Sequence, residues 1–177
     1  MPDQLSPTTR TALSAQDEKG CSPLSIDEAI HYMAQENYDK AFPLFLLLAK
    51  QGHTEAQYYV AWMYEKGKGI SQEDTEAIRW YSIAAEQSYA PAQFNLAVMY
   101  QTGRGVARDY TEAFRWFKIA AEQGYAKAQF SLAWLYEKGR GVVQDDALAI
   151  KWFQAAAEQG YEPAQYSLTL LTKKDKA

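Results

Sequence analysis

Residues 92–127 read AQFNLAVMYQTGRGVARDYTEAFRWFKIAAEQGYAK, and residues 128–163 repeat this stretch without a gap. The two stretches share 20 of 36 residues, and residues 56–91 share 19 of 36 with residues 92–127. Unrelated stretches of this length would share about two. The dipeptide Ala-Gln marks the same point in every copy, at positions 56, 92, 128 and 164. Tandem copies of one 36-residue unit therefore make up most of the sequence.

Each unit predicts two helices joined by a loop that contains Gly-x-Gly. In the copy at 92–127, Gly103 follows the first helix, where glycine can adopt the left-handed conformation that ends a helix. The second helix is predicted to begin near Asp109, which together with Glu112 resembles a capping box. Its apolar residues then follow the i, i+3, i+4, i+7 spacing of one helical face: Ala113, Trp116, Phe117, Ala120 and Ala121.

Small and large apolar residues recur at fixed positions, which indicates how the helices pack. Alanines allow close approach of helices at two recurring positions: Ala61, Ala97, Ala133, and Ala84, Ala120, Ala156. Tryptophans recur on the second helices, where they fill the space between hairpins: Trp80, Trp116 and Trp152. A single hairpin cannot bury both of its faces, so the units must stack. We therefore predict an all-α protein built from stacked antiparallel helix hairpins.

The repeated pattern resembles a known family. Ala-x-x-x-Leu-Ala-x-x-Tyr-x-x-Gly-x-Gly, followed by Glu-Ala-x-x-Trp-Phe-x-x-Ala-Ala-Glu-Gln-Gly, is similar to the Sel-one-like repeat (SLR), a relative of the tetratricopeptide repeat (TPR) with a longer loop. The resemblance covers about residues 36–172. It implies a right-handed α-solenoid that acts as an adaptor or scaffold for protein–protein contacts, often in bacteria.

The ends of the chain depart from the repeat, and we expect the following division. It comprises a polar N-terminal extension at 1–23, a TPR-like hairpin at 24–55, Sel-one-like repeats at 56–91, 92–127 and 128–163, a C-terminal capping helix at 164–172 and a basic tail at 173–177. The helix that contains Phe42 to Leu48 is apolar nearly all round, which indicates burial on more than one side. We expect Leu5, Ala12, Leu13 or Leu24 of the N-terminal segment to fold back over it, and a dimer or partner surface is the alternative.

The first helix of each unit carries two stripes of residues on different sides. The packing stripe, with Gln57, Val60, Ala61 and Tyr64 in the copy at 56–91, hardly varies between copies. By analogy with TPR proteins, the other stripe faces a concave groove. We call it the groove stripe, and it comprises Tyr58, Trp62, Glu65, Lys66, Phe94, Val98, Gln101, Phe130, Trp134, Glu137, Lys138, Tyr166 and Leu170.

Within the groove stripe, Trp62 and Trp134 stand at a position that holds Val98 and Leu170 in other copies. The fold therefore does not require tryptophan there, and an exposed tryptophan suits an interface anchor. Two alternatives remain: these rings pack against the neighbouring hairpin, or the groove holds this chain's own N-terminus. The aromatic residue at the position of Tyr58 recurs in every copy, which favours a structural role.

Composition argues against several functions. The net charge is −4 and the pI about 5.3, which disfavours a nucleic-acid binder. Cys21 is the only cysteine and there are two histidines, so we expect no metal and no cofactor. No nucleophile or Walker-type motif occurs, which predicts a non-catalytic protein. The loop cations Lys68, Arg104 and Arg140 could form an anion-binding ridge or simply be solvated turn charges.

We therefore predict a protein–protein interaction module that binds a protein or peptide in its concave groove. Within that class, the alternative is a dedicated inhibitor or immunity-type partner of an effector or toxin. A hydrolase like the β-lactam-binding cysteine-rich SLR relatives is disfavoured, because this chain lacks their paired cysteines. The polar N-terminus and the absence of an apolar run of ~20 residues predict a cytoplasmic protein without a membrane span. We expect a monomer or weak homodimer.

Overall fold

A computed structural model of the chain describes residues 25–174, with side chains described to residue 171. Within this part of the chain there are nine α-helices and no strand. The helices are α1 (Ile26–Ala34), α2 (Tyr38–Lys50), α3 (Thr54–Lys66), α4 (Asp74–Glu86), α5 (Ala90–Thr102), α6 (Tyr110–Glu122), α7 (Ala126–Lys138), α8 (Asp146–Glu158) and α9 (Glu162–Lys174).

Each helix packs mainly against the helices that precede and follow it in the chain. The pairs α3/α4, α5/α6 and α7/α8 are the predicted hairpins, and α4 and α6 also pack against the first helix of the next hairpin. The predicted all-α solenoid of repeated hairpins is confirmed. The last helix extends further than the predicted 164–172, because it begins at Glu162 and ends at Lys174.

The loop glycines act in two ways. Gly67, Gly103 and Gly139 are left-handed C-caps with φ of 63°, 76° and 61°, as the sequence predicts. The second glycine of each loop approaches the preceding hairpin closely. A Cβ atom at Gly105 would collide with the backbone of Asp74, the first residue of α4. Glycine is needed there because it lets the loop lie directly on the neighbouring helix.

The core of the described residues consists of two clusters of buried side chains, a large one from α1 to α7 and a smaller one around α8 and α9. The six alanines predicted to allow close helix approach are fully buried. Trp80 and Trp116 are buried, and Trp152 is half-buried in the last hairpin. The Asp109 half of the capping box suggested by the sequence is present, since its carboxylate accepts hydrogen bonds from the backbone N–H groups of Thr111 and Glu112. The Glu112 carboxylate instead binds Arg115 at 2.9 Å.

Helix α2 is buried on one side and partly open on the other. Phe42, Phe45 and Leu48 are buried, whereas Leu47 keeps 45% of its surface exposed. The residues expected to cover this helix lie outside the described residues: Leu5, Ala12, Leu13 and Leu24. The described contacts thus account for one apolar face of α2 and leave Leu47 at the surface.

A ladder of buried glutamines joins successive hairpins. Gln93 is 1% exposed; its side-chain amide donates to the carbonyl oxygen of Ala85 at the end of α4, 3.0 Å away. Its oxygen accepts a hydrogen bond of 2.7 Å from Gln123 at the end of α6. Gln57 and Gln129 make the equivalent pairs of bonds in the neighbouring copies. This position in the packing stripe therefore links three helices through hydrogen bonds.

Candidate interaction groove

One position on the first helices stays partly open along the whole solenoid. It holds Trp62, Val98, Trp134 and Leu170, and we call this set the spine. The first three side chains are half-buried, and Leu170 keeps 51% of its surface exposed. The spine is therefore an apolar row that the scaffold contacts without enclosing.

Each spine tryptophan contacts a side chain from outside its own helix. The Trp62 ring lies 6.3 Å from the ring of Tyr38, which starts α2 in the preceding hairpin. The Arg140 guanidinium lies 5.5 Å from the centre of the Trp134 ring. Both rings also pack against the buried core, and both keep part of their surface open.

The aromatic position next to the spine is built into the hairpins. The Phe94 ring contacts two others: its centroid lies 5.6 Å from that of Phe117 in α6 and 5.5 Å from that of Tyr125. Tyr58 and Phe130 occupy equivalent places in their own hairpins. This geometry gives these rings a structural role in each hairpin. At the same position of α9, Tyr166 keeps 69% of its surface exposed.

Glu65 of the groove stripe is held by three donors. Its carboxylate accepts hydrogen bonds from Lys66 at 2.7 Å, from the Tyr81 hydroxyl at 2.8 Å and from Arg104 at 3.2 Å. Burial first, and then the charge of Glu65, raise the pKa of Tyr81. Its hydroxyl consequently stays protonated and donates to Glu65, while the side chain of Asn95 donates to the same hydroxyl at 2.9 Å.

The loop cations reach back to the preceding hairpin. Arg104 binds the Asp74 carboxylate at 2.6 Å, and this hydrogen bond is the largest cause that raises the pKa of Arg104. Lys68 lies 4.8 Å from the Tyr38 ring centre, and Arg140 binds the Tyr110 hydroxyl at 2.6 Å. Each cation therefore contacts the first residue of the preceding second helix, which favours the structural interpretation of these loops over an anion-binding ridge.

The remaining groove-stripe residues lie at the ends of α3, α5 and α7. Lys66 and Lys138 are exposed and pair with the glutamate just before them, at 2.7 and 2.6 Å. Gln101 is half-buried at the end of α5. A further row, which the sequence pattern did not single out, lies on the same helical face as the spine and is half-buried: Tyr59, Asn95, Ser131 and Ser167. The signal in the sequence is the three-residue spacing from this row to the spine, which puts both on one side of an α-helix.

A pocket of about 150 Å³ lies at the contact of α7 and α9. Glu137, Ser167, Leu170 and Leu171 line it. It thereby brings together two residues of the groove stripe, Glu137 and Leu170, that lie on different helices. Among the described residues, no group of three or more histidine, cysteine, aspartate or glutamate side chains could hold a metal ion. Cys21 lies outside those residues.

Comparison with known families gives a match over most of the chain. The model of the Sel1 repeat family matches residues 31–53, 54–89, 90–125 and 126–161. Its first match begins inside α1, so the N-terminal hairpin is included in part as a fourth copy.

Two solved structures show the same architecture at 32% sequence identity. A Sel1 repeat protein from Oxalobacter formigenes matches with a TM-score of 0.79, covering 82% of this chain and 60% of that chain. A protective antigen of uropathogenic Escherichia coli with an SLR fold matches with a TM-score of 0.81, covering 85% of this chain and 34% of that chain. This chain thus spans between a third and three fifths of the length of these two relatives.

The cysteine-rich protein B of Helicobacter pylori is a more distant match. It is 22% identical with a TM-score of 0.56, covering 81% of this chain and 94% of that chain, and this likeness shows the fold alone. None of the helices within residues 25–174 has the length and apolar character that crossing a membrane requires.

Proposed function

This chain belongs to the Sel1 repeat family, and from that premise we propose that it is a non-catalytic interaction module whose groove stripe binds a segment of a partner protein. Sel1 repeats typically mediate contacts between proteins. The observation that carries the proposal is the spine. It runs through four helices of one solenoid and stays partly open in all of them.

The residue pattern of the spine supports binding more than packing. At the neighbouring alanine position, Ala61, Ala97 and Ala133 are identical and fully buried, as packing demands. At the spine position, tryptophan alternates with valine and leucine although the backbone setting is the same. The scaffold therefore accepts several side chains there, and the large rings of Trp62 and Trp134 remain available to a partner.

Partly exposed tryptophans bring the physical properties that hot spots need. A tryptophan ring offers a large apolar area with few rotatable bonds, so little conformational entropy is lost when a partner covers it. Trp62 and Trp134 also lie near the cations Lys66 and Lys138, which carry exposed amine groups at the ends of the same helices. An apolar centre with a polar rim is the usual composition of a protein interface.

The test selects peptides from a displayed library of random dodecamers on the 177-residue chain and measures their affinity for single variants. We expect Trp62→Ala and Trp134→Ala each to weaken binding about fivefold or more, because a lost anchor costs ~1 kcal/mol or more. Val143→Ala is the matched control, since Val143 is an apolar side chain with 85% exposure in the loop before α8. It should bind like the wild type.

Two results would contradict the proposal. In one, the selected peptides bind both tryptophan variants as tightly as the wild type. In the other, both variants lose as much folding stability as Trp116→Ala, whose ring is buried between hairpins. That second result would assign the spine tryptophans to the core.

A further inference from the structure

We propose that the pocket at the contact of α7 and α9 receives the guanidinium group of an arginine carried by the bound partner segment. The inference rests on the proposed function and specifies the chemistry of one subsite. Glu137 is the acidic residue of the pocket, and Leu170 and Leu171 supply apolar surface. A cavity of this volume accommodates a benzene-sized group, and a guanidinium with its adjoining methylene is of similar size.

The molecule itself shows what binds beside a glutamate at this position. Glu65 occupies the position of Glu137 two copies earlier, at the end of α3. There, Arg104 places its guanidinium 3.2 Å from the Glu65 carboxylate. This arginine lies 39 residues further along the chain and comes from the Gly-x-Gly loop of the next hairpin. The scaffold therefore brings an arginine to this glutamate position when a suitable loop follows.

Among the residues whose side chains the structure describes, 25–171, Glu137 has neither of the donors that come to Glu65 from outside α3. The residue equivalent to Tyr81 is Phe153, which has no hydroxyl group to donate. Gly103 and Gly105 flank Arg104 with positive φ, and a Cβ at Gly105 would collide with the preceding helix. At the equivalent positions the sequence has Asp175 and Ala177 around Lys176, so that loop pattern does not recur.

The adjacent lysine leaves hydrogen-bonding capacity on the carboxylate of Glu137. Lys138 pairs with Glu137 at 2.6 Å, just as Lys66 pairs with Glu65 at 2.7 Å. Glu65 nevertheless accepts from Arg104 and Tyr81 at the same time. A carboxylate has room for about four hydrogen bonds, so Glu137 can bind an incoming cation beside Lys138.

Arginine fits this pocket better than lysine. Its planar guanidinium can bind a carboxylate with two parallel hydrogen bonds and is less strongly hydrated than an ammonium group. Its methylene stem can lie along Leu170, which keeps half of its surface exposed at the pocket. The open ring of Tyr166, one helical turn earlier on α9, extends the same surface along the groove.

The test examines the peptides selected in the library experiment for arginine and resynthesises them with citrulline, which has the same shape without the charge. We expect selected peptides to carry arginine at one fixed position, and citrulline to weaken binding to the wild type about tenfold or more, because a charged hydrogen bond is lost. Glu137→Gln should bind the arginine and citrulline peptides equally. Glu122→Gln is the matched control on α6, outside the groove stripe, and should keep the preference.

The other outcomes separate the two proposals. Peptides that depend on Trp134 but show no arginine preference, and that bind Glu137→Gln as well as the wild type, overturn the arginine subsite and leave the proposed function standing. A further variant, Lys176→Ala, removes a cation of the C-terminal tail. If the preference for arginine over citrulline appears only in this variant, the chain's own tail occupies the pocket. That result overturns the assignment of the pocket to a partner. If no selected peptide depends on either spine tryptophan, the proposed function fails and the subsite with it.

Discussion

At the scale of single residues, the repeat shows which positions the backbone restricts and which are free. Where one hairpin joins the next, one residue has the left-handed backbone conformation. This residue is glycine at positions 124 and 160, but it is serine at Ser88, with a φ of 64°. Side chains with a Cβ are strained in this conformation. Nothing lies within 4 Å of a Cβ built at Gly124, so the strain is purely conformational.

We predict that Ser88→Gly stabilises the protein by ~0.5–1 kcal/mol, because relief of the strain exceeds the extra flexibility that glycine gives the unfolded chain. Gly124→Ser should destabilise it by a similar amount. Urea unfolding followed by circular dichroism measures both. Opposite signs support the interpretation, whereas destabilisation by Ser88→Gly would show that the serine side chain contributes something that the backbone angle does not explain.

At the scale of helices, hydrogen bonds between neighbouring hairpins add to the apolar contacts. Each buried glutamine of the ladder connects the second helices of two successive hairpins. Gln93, for example, binds a carbonyl oxygen at the C-terminal end of α4 and the side chain of Gln123, which follows α6. In a solenoid, stability depends on such contacts between neighbours, since distant repeats do not touch. Cooperative unfolding of the whole solenoid therefore depends on this ladder as well as on the alanine core.

Replacing Gln93 by alanine should destabilise the solenoid by ~1–3 kcal/mol, because it removes the buried hydrogen bond to the Ala85 carbonyl and leaves a cavity where the side chain packed. Gln165→Ala is the matched control. It has the same position on α9, but it is exposed and its bond to the Ala157 carbonyl is 3.5 Å long. We expect an effect within about 0.5 kcal/mol there. Equal losses in the two variants, measured by urea unfolding, would disprove a special role for the buried ladder.

The sequence predicted most of the architecture at this scale, for a physical reason. Helix ends and core positions depend on local features that recur every 36 residues, such as the glycine at 103 and the alanine at 97. The ties between hairpins were not predictable in the same way. Arg104 contacts Asp74, whereas the equivalent partners elsewhere are Tyr38 and Tyr110, so the residue types at this contact vary.

The candidate site was predicted only in outline. The sequence identified the helical face that carries the spine, but it could not show that Glu65 is held by three donors while Glu137 faces a pocket. That difference arises from residues outside α3 and α7, namely Arg104, which lies 39 positions from Glu65, and Tyr81, which lies 16 positions from it and is replaced by Phe153 in the later copy. Repeats that are nearly identical in sequence can therefore offer different chemistry to a partner.

At the scale of the whole molecule, the solenoid presents two classes of tryptophan on one scaffold. Trp80 and Trp116 lie buried between hairpins, whereas Trp62 and Trp134 belong to the partly open spine. The indole N–H signals of these residues are natural reporters of where a ligand binds. They can be followed by NMR in the wild-type protein during titration with a library-selected peptide.

This titration tests the central claim, that a repeated scaffold presents one face of its first helices to a partner. We predict that the indole signals of Trp62 and Trp134 shift with a common binding curve, while those of Trp80 and Trp116 stay in place. Movement of the Trp80 and Trp116 signals with no change at Trp62 and Trp134 would place the partner on another face of the solenoid and contradict the account.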